Sequence, residues 1–274
     1  LILFHVLGIP KHEIHLEKER IIDDMQNLRI TEIIKDLKRY KPIQYIFGYT
    51  EFFGLQIFVT PDVLIPRPET EELVKWIIDD HKGKSPAILD IGTGSGCIAL
   101  TLKKNLPQSR VYACDVSDSA LTVAQENAAF HHLDIAFFNQ DIINDSTSSP
   151  GKISSLYSST GNYIPRQFSL YDVIVSNPPY IPLKEKPAIG RNISGFEPEG
   201  ALFVPDEDPF IFYRNIAYFG LDHLKNNGLM YFDIHEKSGP EVITLIENYG
   251  YRDLVIRRDI NGKNRMIRCS KKNE

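Results

Sequence analysis

Apolar positions along this chain change period several times, and each change marks a boundary. Over the first forty residues they recur at helical spacing: Ile21, Ile22, Met25 and Leu28 form one set, and Ile30, Ile33, Ile34 and Leu37 another. Gly8-Ile9-Pro10 separates the opening apolar run, Leu1 to Leu7, from that pattern. From Tyr45 to Ile65 the apolar pieces shorten around Gly48 and Gly54, and Phe52 to Val59 predicts a hairpin. From Glu69 onward helix-like and strand-like runs alternate. Helices are predicted over 69–80, 96–106, 117–130 with Ser117 as cap, 209–226 and 239–249. Strands are predicted over 87–91, 110–115, 135–138, 171–176 and 228–233, with two closing strands around Leu254-Val255-Ile256 and Met266-Ile267-Arg268. That alternation predicts an α/β fold, a doubly wound parallel sheet with helices on both faces. Residues 144–168 break the rhythm with seven serines, two prolines and two glycines, the composition of a disordered segment rather than a lid. The chain divides into a small helical domain (1–44), a hairpin linker (45–66) and a large α/β domain (67–274).

Composition narrows the setting. At 274 residues and 42% apolar, the chain can bury a full core. No apolar run reaches membrane-spanning length and no leader precedes a cleavage site, so a soluble, cytoplasmic protein is expected. The start at Leu1, inside an apolar run and without an initiator Met, is read as the loss of an amino-terminal piece of helix. Cys97, Cys114 and Cys269 are too few and too scattered for a disulfide framework or zinc site, as expected in a reducing compartment. No histidine pairs with Cys, Asp or Glu at ligand spacing, and no catalytic metal is expected. A net charge of -5 argues against holding duplex nucleic acid by broad phosphate neutralisation.

Two stretches carry chemistry. Asp90-Ile91-Gly92-Thr93-Gly94-Ser95-Gly96 falls at the first strand-to-helix turn of the parallel sheet, where open α/β sheets bind ligands. Its glycines admit close backbone approach, and the helix start offers free N–H groups. Alone, such a turn serves a dinucleotide, a nucleotide phosphate or no ligand. Asp115, ending the next strand, is positioned to accept both hydroxyls of a ribose. Asp90 puts negative charge where a pyrophosphate would sit, which favours a cationic amino acid or a sulfonium. S-adenosylmethionine meets both conditions better than NAD. The plain alternatives are a solvated strand-end carboxylate for Asp115 and a helix cap for Asp90. Asp141 is a candidate acceptor for the adenine amine, with Ile142 packing on the ring; a turn aspartate is the alternative.

The second stretch is Asn177-Pro178-Pro179-Tyr180, at the exit of the apolar strand 171–176. Two prolines fix φ and supply no N–H, so the carbonyls of Asn177 and Pro178 can face a ligand, and the Asn side chain adds another acceptor. The arrangement suits a planar amide or amine; a stiff proline-rich turn is the alternative. Tyr180 is then a ring packed on the acceptor plane, or else a strand-exit core aromatic.

In this order and spacing the two stretches resemble class I S-adenosylmethionine-dependent methyltransferases that methylate amino groups, a branch acting on DNA adenine, RNA bases or protein glutamine. Pro42-Ile43-Gln44-Tyr45-Ile46 with Gly48, followed by Val63-Leu64-Ile65-Pro66-Arg67-Pro68-Glu69-Thr70-Glu71, is similar to the signature of the release-factor glutamine N5-methyltransferases. Phe196-Glu197-Pro198 and the segment from Arg258 to Arg265 extend the likeness over the chain. Two features depart from the family pattern: Asp233 stands where many members carry Glu, and 144–168 looks like an insertion. Neither is expected to touch the chemistry.

The resemblance implies a seven-stranded, Rossmann-like methyltransferase sheet behind a helical substrate-recognition domain. It implies S-adenosylmethionine as cofactor and S-adenosylhomocysteine as product. The implied substrate is the glutamine of the Gly-Gly-Gln tripeptide in class 1 release factors, bound by a monomer without direct nucleic-acid or membrane contact. On this reading Asn177, Pro178 and Tyr180 are catalytic. Asp90, Gly92, Thr93, Gly94, Ser95, Gly96, Asp115, Asp141, Ile142 and Asn177 bind the cofactor. Arg67, Asn177, Pro178, Pro179, Tyr180 and Glu197 bind the substrate, with Glu197 also a candidate general base. The alternatives are an N6-adenine methyltransferase that flips a base into the same pocket, a glutamine methyltransferase acting on a ribosomal protein, and a binding module that has lost its chemistry.

Overall fold

A computed structural model of the chain describes residues 1–10, 12–17, 19–144, 157–158 and 170–272. Most of the serine-rich 144–168 segment therefore lies outside the described residues. The amino-terminal region contains α1 (Ile2–Leu7), α2 (Asp24–Lys38) and α3 (Ile43–Phe47). Helix α2 begins later than the apolar period predicts. Asp23 accepts from the Gln26 backbone while the Gln26 side chain accepts from the Asp23 backbone, a capping box that stops the helix short of Ile21 and Ile22. Ile21 and Met25 are left 92% and 75% exposed, so that set does not face a core.

The linker forms the expected hairpin, β1 (Tyr49–Phe52) paired antiparallel with β2 (Leu55–Phe58). Its two turn residues, Phe53 and Gly54, have φ of 49° and 75°, the mirror-image turn whose twist suits a tight hairpin. Next come α4 (Pro68–His81), β3 (Ala87–Ile91), α5 (Cys97–Asn105), β4 (Arg110–Asp115), α6 (Asp118–Phe130) and β5 (Ala136–Asn139). They are followed by β6 (Tyr157–Ser158), β7 (Tyr171–Ser176), β8 (Ile181–Pro182), α7 (Arg191–Ser194), β9 (Phe203–Val204) and α8 (Ile211–His223). The chain closes with β10 (Leu224–Asp233), α9 (Gly239–Asn248), β11 (Arg252–Arg258) and β12 (Asn264–Ser270). Helix α8 stops three residues before the predicted 226, because β10 already pairs with β7 at Leu224.

The central sheet runs β11-β12-β10-β7-β3-β4-β5-β6. Seven of these strands are those expected; β6 adds a two-residue antiparallel edge to β5. Strands β10, β7, β3, β4 and β5 are parallel; β12 runs antiparallel to β10, and β11, antiparallel to β12, runs in the β10 direction again. Alternation along the strands divides the core in two. Ile88, Val173 and Val175 pack with α4, α5 and α6; Leu89, Ile174 and Phe232 pack with α8 and α9 on the other face. Strand order reverses between β3 and β7, so a crevice opens at the carboxyl ends of these two neighbours. Both chemical stretches of the sequence leave the sheet there. No helix among the described residues is long and apolar enough to cross a membrane.

Candidate active site

The glycine-rich turn after β3 is held by its own neighbours. The Gly92 and Thr93 amides donate to the Cys114 carbonyl (2.9 and 3.0 Å), Gly94 N–H to Asp115 Oδ2 (2.9 Å) and Gly96 N–H to the Thr93 carbonyl (2.9 Å). Those four amides are thereby committed within the protein. Gly92 and Gly94 have φ of 72° and 54°, and a Cβ at either would project into open space. Beside them lies a cavity of about 410 Å³. Ile98, Val116, Ile142, Phe212 and Ile216 give it apolar walls, and Asp115 and Asp141 give it polar ones.

The two aspartates of the cofactor stretch behave differently. Asp115 Oδ1 accepts from Ser117 N–H (3.0 Å), and burial raises its carboxyl above the usual range against the pull of the Ser117 and Gly94 amides. Asp90 lies beneath the turn rather than on the cavity wall, fully buried, with Oδ2 accepting from Thr93 Oγ1 (2.6 Å). Its Oδ1 is buried without a hydrogen-bond partner, and burial pushes its carboxyl up to about 7. Gly96 also sits below the wall: a Cβ there would meet Leu100 Cδ1 at 2.5 Å and Ala124 Cβ at 3.2 Å, so its role is close packing of α5 on α6. Thr93 and Ser95 do line the cavity, and Ser95 Oγ is buried without a partner. Asp141 accepts from the Ile143 and Asn144 amides (2.9 and 3.0 Å) and from Asn144 Nδ2 (2.7 Å), which shapes its loop and holds its carboxyl below the usual range despite partial burial.

At the end of β7, Ser176 Oγ donates to the Ile91 carbonyl (2.7 Å), tying the tips of β7 and β3 together at the crevice. Asn177, Pro178 and Pro179 then line two cavities at once: the 410 Å³ cavity and a second of about 280 Å³. Arg67 and Thr70 line both as well. Tyr180 faces only the second, with its hydroxyl pushed up to about 12 by burial. Ile189, Ile193, Ala201 and Leu202 close that second cavity. They come from a segment with no period to read, folded back by the parallel pairing of β8 with β9.

Two further placements differ from the sequence reading. Glu197 is 4% exposed and its carboxylate is already engaged, accepting from Arg67 Nη2 at 2.6 Å and from Ile65 N–H at 3.1 Å. It lies on neither of the two cavities and holds Arg67 in place, so it is removed as a general base. Asp233, expected to stand apart from the chemistry, lies on the wall of the second cavity and accepts from Thr70 Oγ1 (3.0 Å), which in turn lies 3.1 Å from Asn177 Nδ2. The available signal was an apolar strand ending in Asp, as in β4. Among the described residues no group of His, Cys, Asp and Glu is arranged to hold a metal ion.

Comparison with known proteins gives the family. Residues 70–153 match the methyltransferase small domain family and residues 1–48 the PrmC N-terminal domain family. The release factor glutamine methyltransferase of Flavobacterium psychrophilum is 42% identical over 97% of this chain and 88% of its own length. That of Bacteroides thetaiotaomicron is 41% identical over 99% of this chain and 91% of its own. Among solved structures, a methyltransferase from Pyrococcus furiosus (17% identity, TM-score 0.52, 92% of this chain and 100% of that one) shares the fold. So does the human methyltransferase 10 domain containing protein (17% identity, TM-score 0.54, 87% and 97%). With such identity along nearly its whole length, the chain belongs to the release factor glutamine methyltransferase family.

Proposed function

We propose that the protein transfers a methyl group from S-adenosylmethionine to the side-chain amide nitrogen of the glutamine in the Gly-Gly-Gln motif of class 1 release factors. The observation that carries this reading is the wall shared by the two cavities at Asn177-Pro178-Pro179. A donor on one side and an acceptor on the other would meet there.

The larger cavity fits the cofactor. Gly92 and Gly94 present bare backbone to it, Asp115 offers carboxylate lone pairs suited to ribose hydroxyls, and Ile98, Ile142 and Phe212 suit an adenine face. The unpartnered Asp90 oxygen below the turn suits a cationic ligand nearby. When bound, S-adenosylmethionine supplies an electrophilic methyl on a positively charged sulfur, which leaves as the neutral thioether of S-adenosylhomocysteine.

An amide nitrogen is a poor nucleophile because its lone pair is delocalised into the carbonyl. Orientation is what the protein adds. Asn177 Oδ1 and the Pro178 carbonyl each accept one N–H of the substrate amide, which aims the face of the nitrogen toward the larger cavity. The prolines keep that wall rigid and contribute no competing N–H. Two acceptors also discriminate against glutamate, whose carboxylate has no proton to give them. Tyr180, neutral at any ordinary pH, packs its ring against the acceptor plane. After methylation the nitrogen is strongly acidic and gives up its proton to solvent water, with Asn177 Oδ1 only accepting its hydrogen bond.

Asn177→Ala tests this division of labour. Calorimetric binding of S-adenosylhomocysteine should stay within about threefold of wild type while turnover falls by about a thousandfold or more. Turnover within a few-fold of wild type would exclude orientation by Asn177.

A further inference from the structure

A side-chain amide has two ends of nearly the same shape, and only the oxygen of Asn177 can accept from a substrate amide. What decides the direction is the partner of the other end. Thr70 Oγ1 lies 3.1 Å from Asn177 Nδ2 and 3.0 Å from Asp233 Oδ2, with both Thr70 and Asp233 2% exposed. A hydroxyl has one proton, and a carboxylate can only accept. Thr70 therefore gives its proton to Asp233 and can meet Asn177 only as an acceptor, which places Nδ2 on Thr70 and leaves Oδ1 for the acceptor cavity. Holding a carboxylate this deep costs stability, the more so because Asp233 Oδ1 is buried without a hydrogen-bond partner. An asparagine of the same shape would fill the space without the charge. Only a carboxylate presents an acceptor to Thr70 whichever of its two ends faces the hydroxyl.

We propose that Asp233 and Thr70 are positioning residues for methyl transfer: they fix the direction of the Asn177 amide and so select a carboxamide as acceptor. The inference rests on the reading of Asn177 as the acceptor site. Reversing the polarity reverses the amide. In Asp233→Asn the new amide can set its NH2 on Thr70, which frees the Thr70 hydroxyl to donate to Asn177 and lets the Asn177 oxygen turn away from the substrate.

The test uses the full-length chain with a release factor and S-adenosylmethionine, comparing wild type with Asp233→Asn, Thr70→Val, Thr70→Ser and Asn177→Ala. Asp233→Asn is expected to lower kcat about tenfold to a hundredfold, with S-adenosylhomocysteine affinity unchanged and a melting temperature equal to or above wild type. Thr70→Val should lose kcat similarly, and Thr70→Ser, which keeps the hydroxyl, should restore it to within about threefold of wild type. A purely structural role predicts the opposite pairing, in which activity follows melting temperature. If Asn177→Ala is inactive while Thr70→Val and Thr70→Ser are equally active, whatever the kcat of Asp233→Asn, the relay is overturned and the acceptor site stands. If Asn177→Ala retains turnover, the acceptor site and the relay fall together. Should Asp233→Asn not fold, the Thr70 pair alone decides.

Discussion

Asp233 titrates in a range where both stability and turnover can be read. Burial pushes its carboxyl up to about 7, opposed by Arg265 and by the Thr70 hydrogen bond and reinforced by Glu69 and Asp259. The hydroxyls of Tyr180 and Tyr213 also feel its charge. Because the folded value lies above the unfolded one, the folded chain keeps a proton that the unfolded chain has lost from about pH 4 upward. The contribution to stability is therefore full at acid pH and falls as pH rises through about 7. Asp90, also pushed up to about 7, adds a loss of the same sign. Calorimetry should show this contribution as a fall in melting temperature between about pH 4 and pH 7 that levels off above about pH 7, with a shallower slope in Asp233→Asn. An unchanged slope in that variant would place the titration elsewhere. A pH–rate profile is expected to show the opposite dependence, with turnover rising through about pH 7 as Asp233 becomes the carboxylate that accepts the Thr70 hydrogen bond. At this scale the sequence was only partly readable. Asn177, Asp115 and the glycines stand in runs whose chemistry is local, and the fold brings their stretches to one crevice. The Thr70 to Asp233 link spans 163 positions and Arg67 to Glu197 spans 130, so neither pairing has a local signature.

Elements were more legible than the contacts between them. Strands β3, β4 and β7 begin and end where their apolar runs do, because buried parallel strands are apolar on both faces. Helix α6 starts at Ser117, whose side chain accepts from Ala120 N–H (3.2 Å). The segment 181–204 was unreadable since its elements are two to six residues long and owe their form to the cavity they close. Equally hidden was Asn127, fully buried on α6. Its Oδ1 accepts from Phe58 N–H (2.7 Å), and its Nδ2 donates to the Phe58 and Ser95 carbonyls (3.0 Å each). One side chain thus pins the hairpin and the glycine-rich turn to the same helix. His131 Nε2 adds a bond to the Gln56 carbonyl (2.7 Å), and Glu71 accepts from Phe53 N–H (3.0 Å). Asn127→Ala leaves three backbone groups without this partner and should cost about 2–4 kcal/mol in denaturant unfolding. A loss below about 0.5 kcal/mol would mean that the hairpin is held by its apolar contacts instead.

Across the whole molecule, the crevice between β3 and β7 links cofactor binding to stability. A ligand held only by the folded chain stabilises it by mass action, by about 2.7 kcal/mol at a hundred times its Kd. S-adenosylhomocysteine should therefore raise the melting temperature. Asp115→Ala should weaken binding by about tenfold to a hundredfold and shrink that rise, because the ribose loses a charged acceptor and Gly94 loses its tie. An equal rise in wild type and Asp115→Ala would remove Asp115 from the cofactor site. The central claim is the identity of the acceptor atom, tested most directly by peptide mass mapping of a purified class 1 release factor incubated with the protein and S-adenosylmethionine. A single added methyl on the glutamine of its Gly-Gly-Gln motif, absent with Asn177→Ala, is the predicted result. An unmodified glutamine, with methyl transferred instead to adenine in added DNA or RNA or to glutamine in a ribosomal protein, would contradict it.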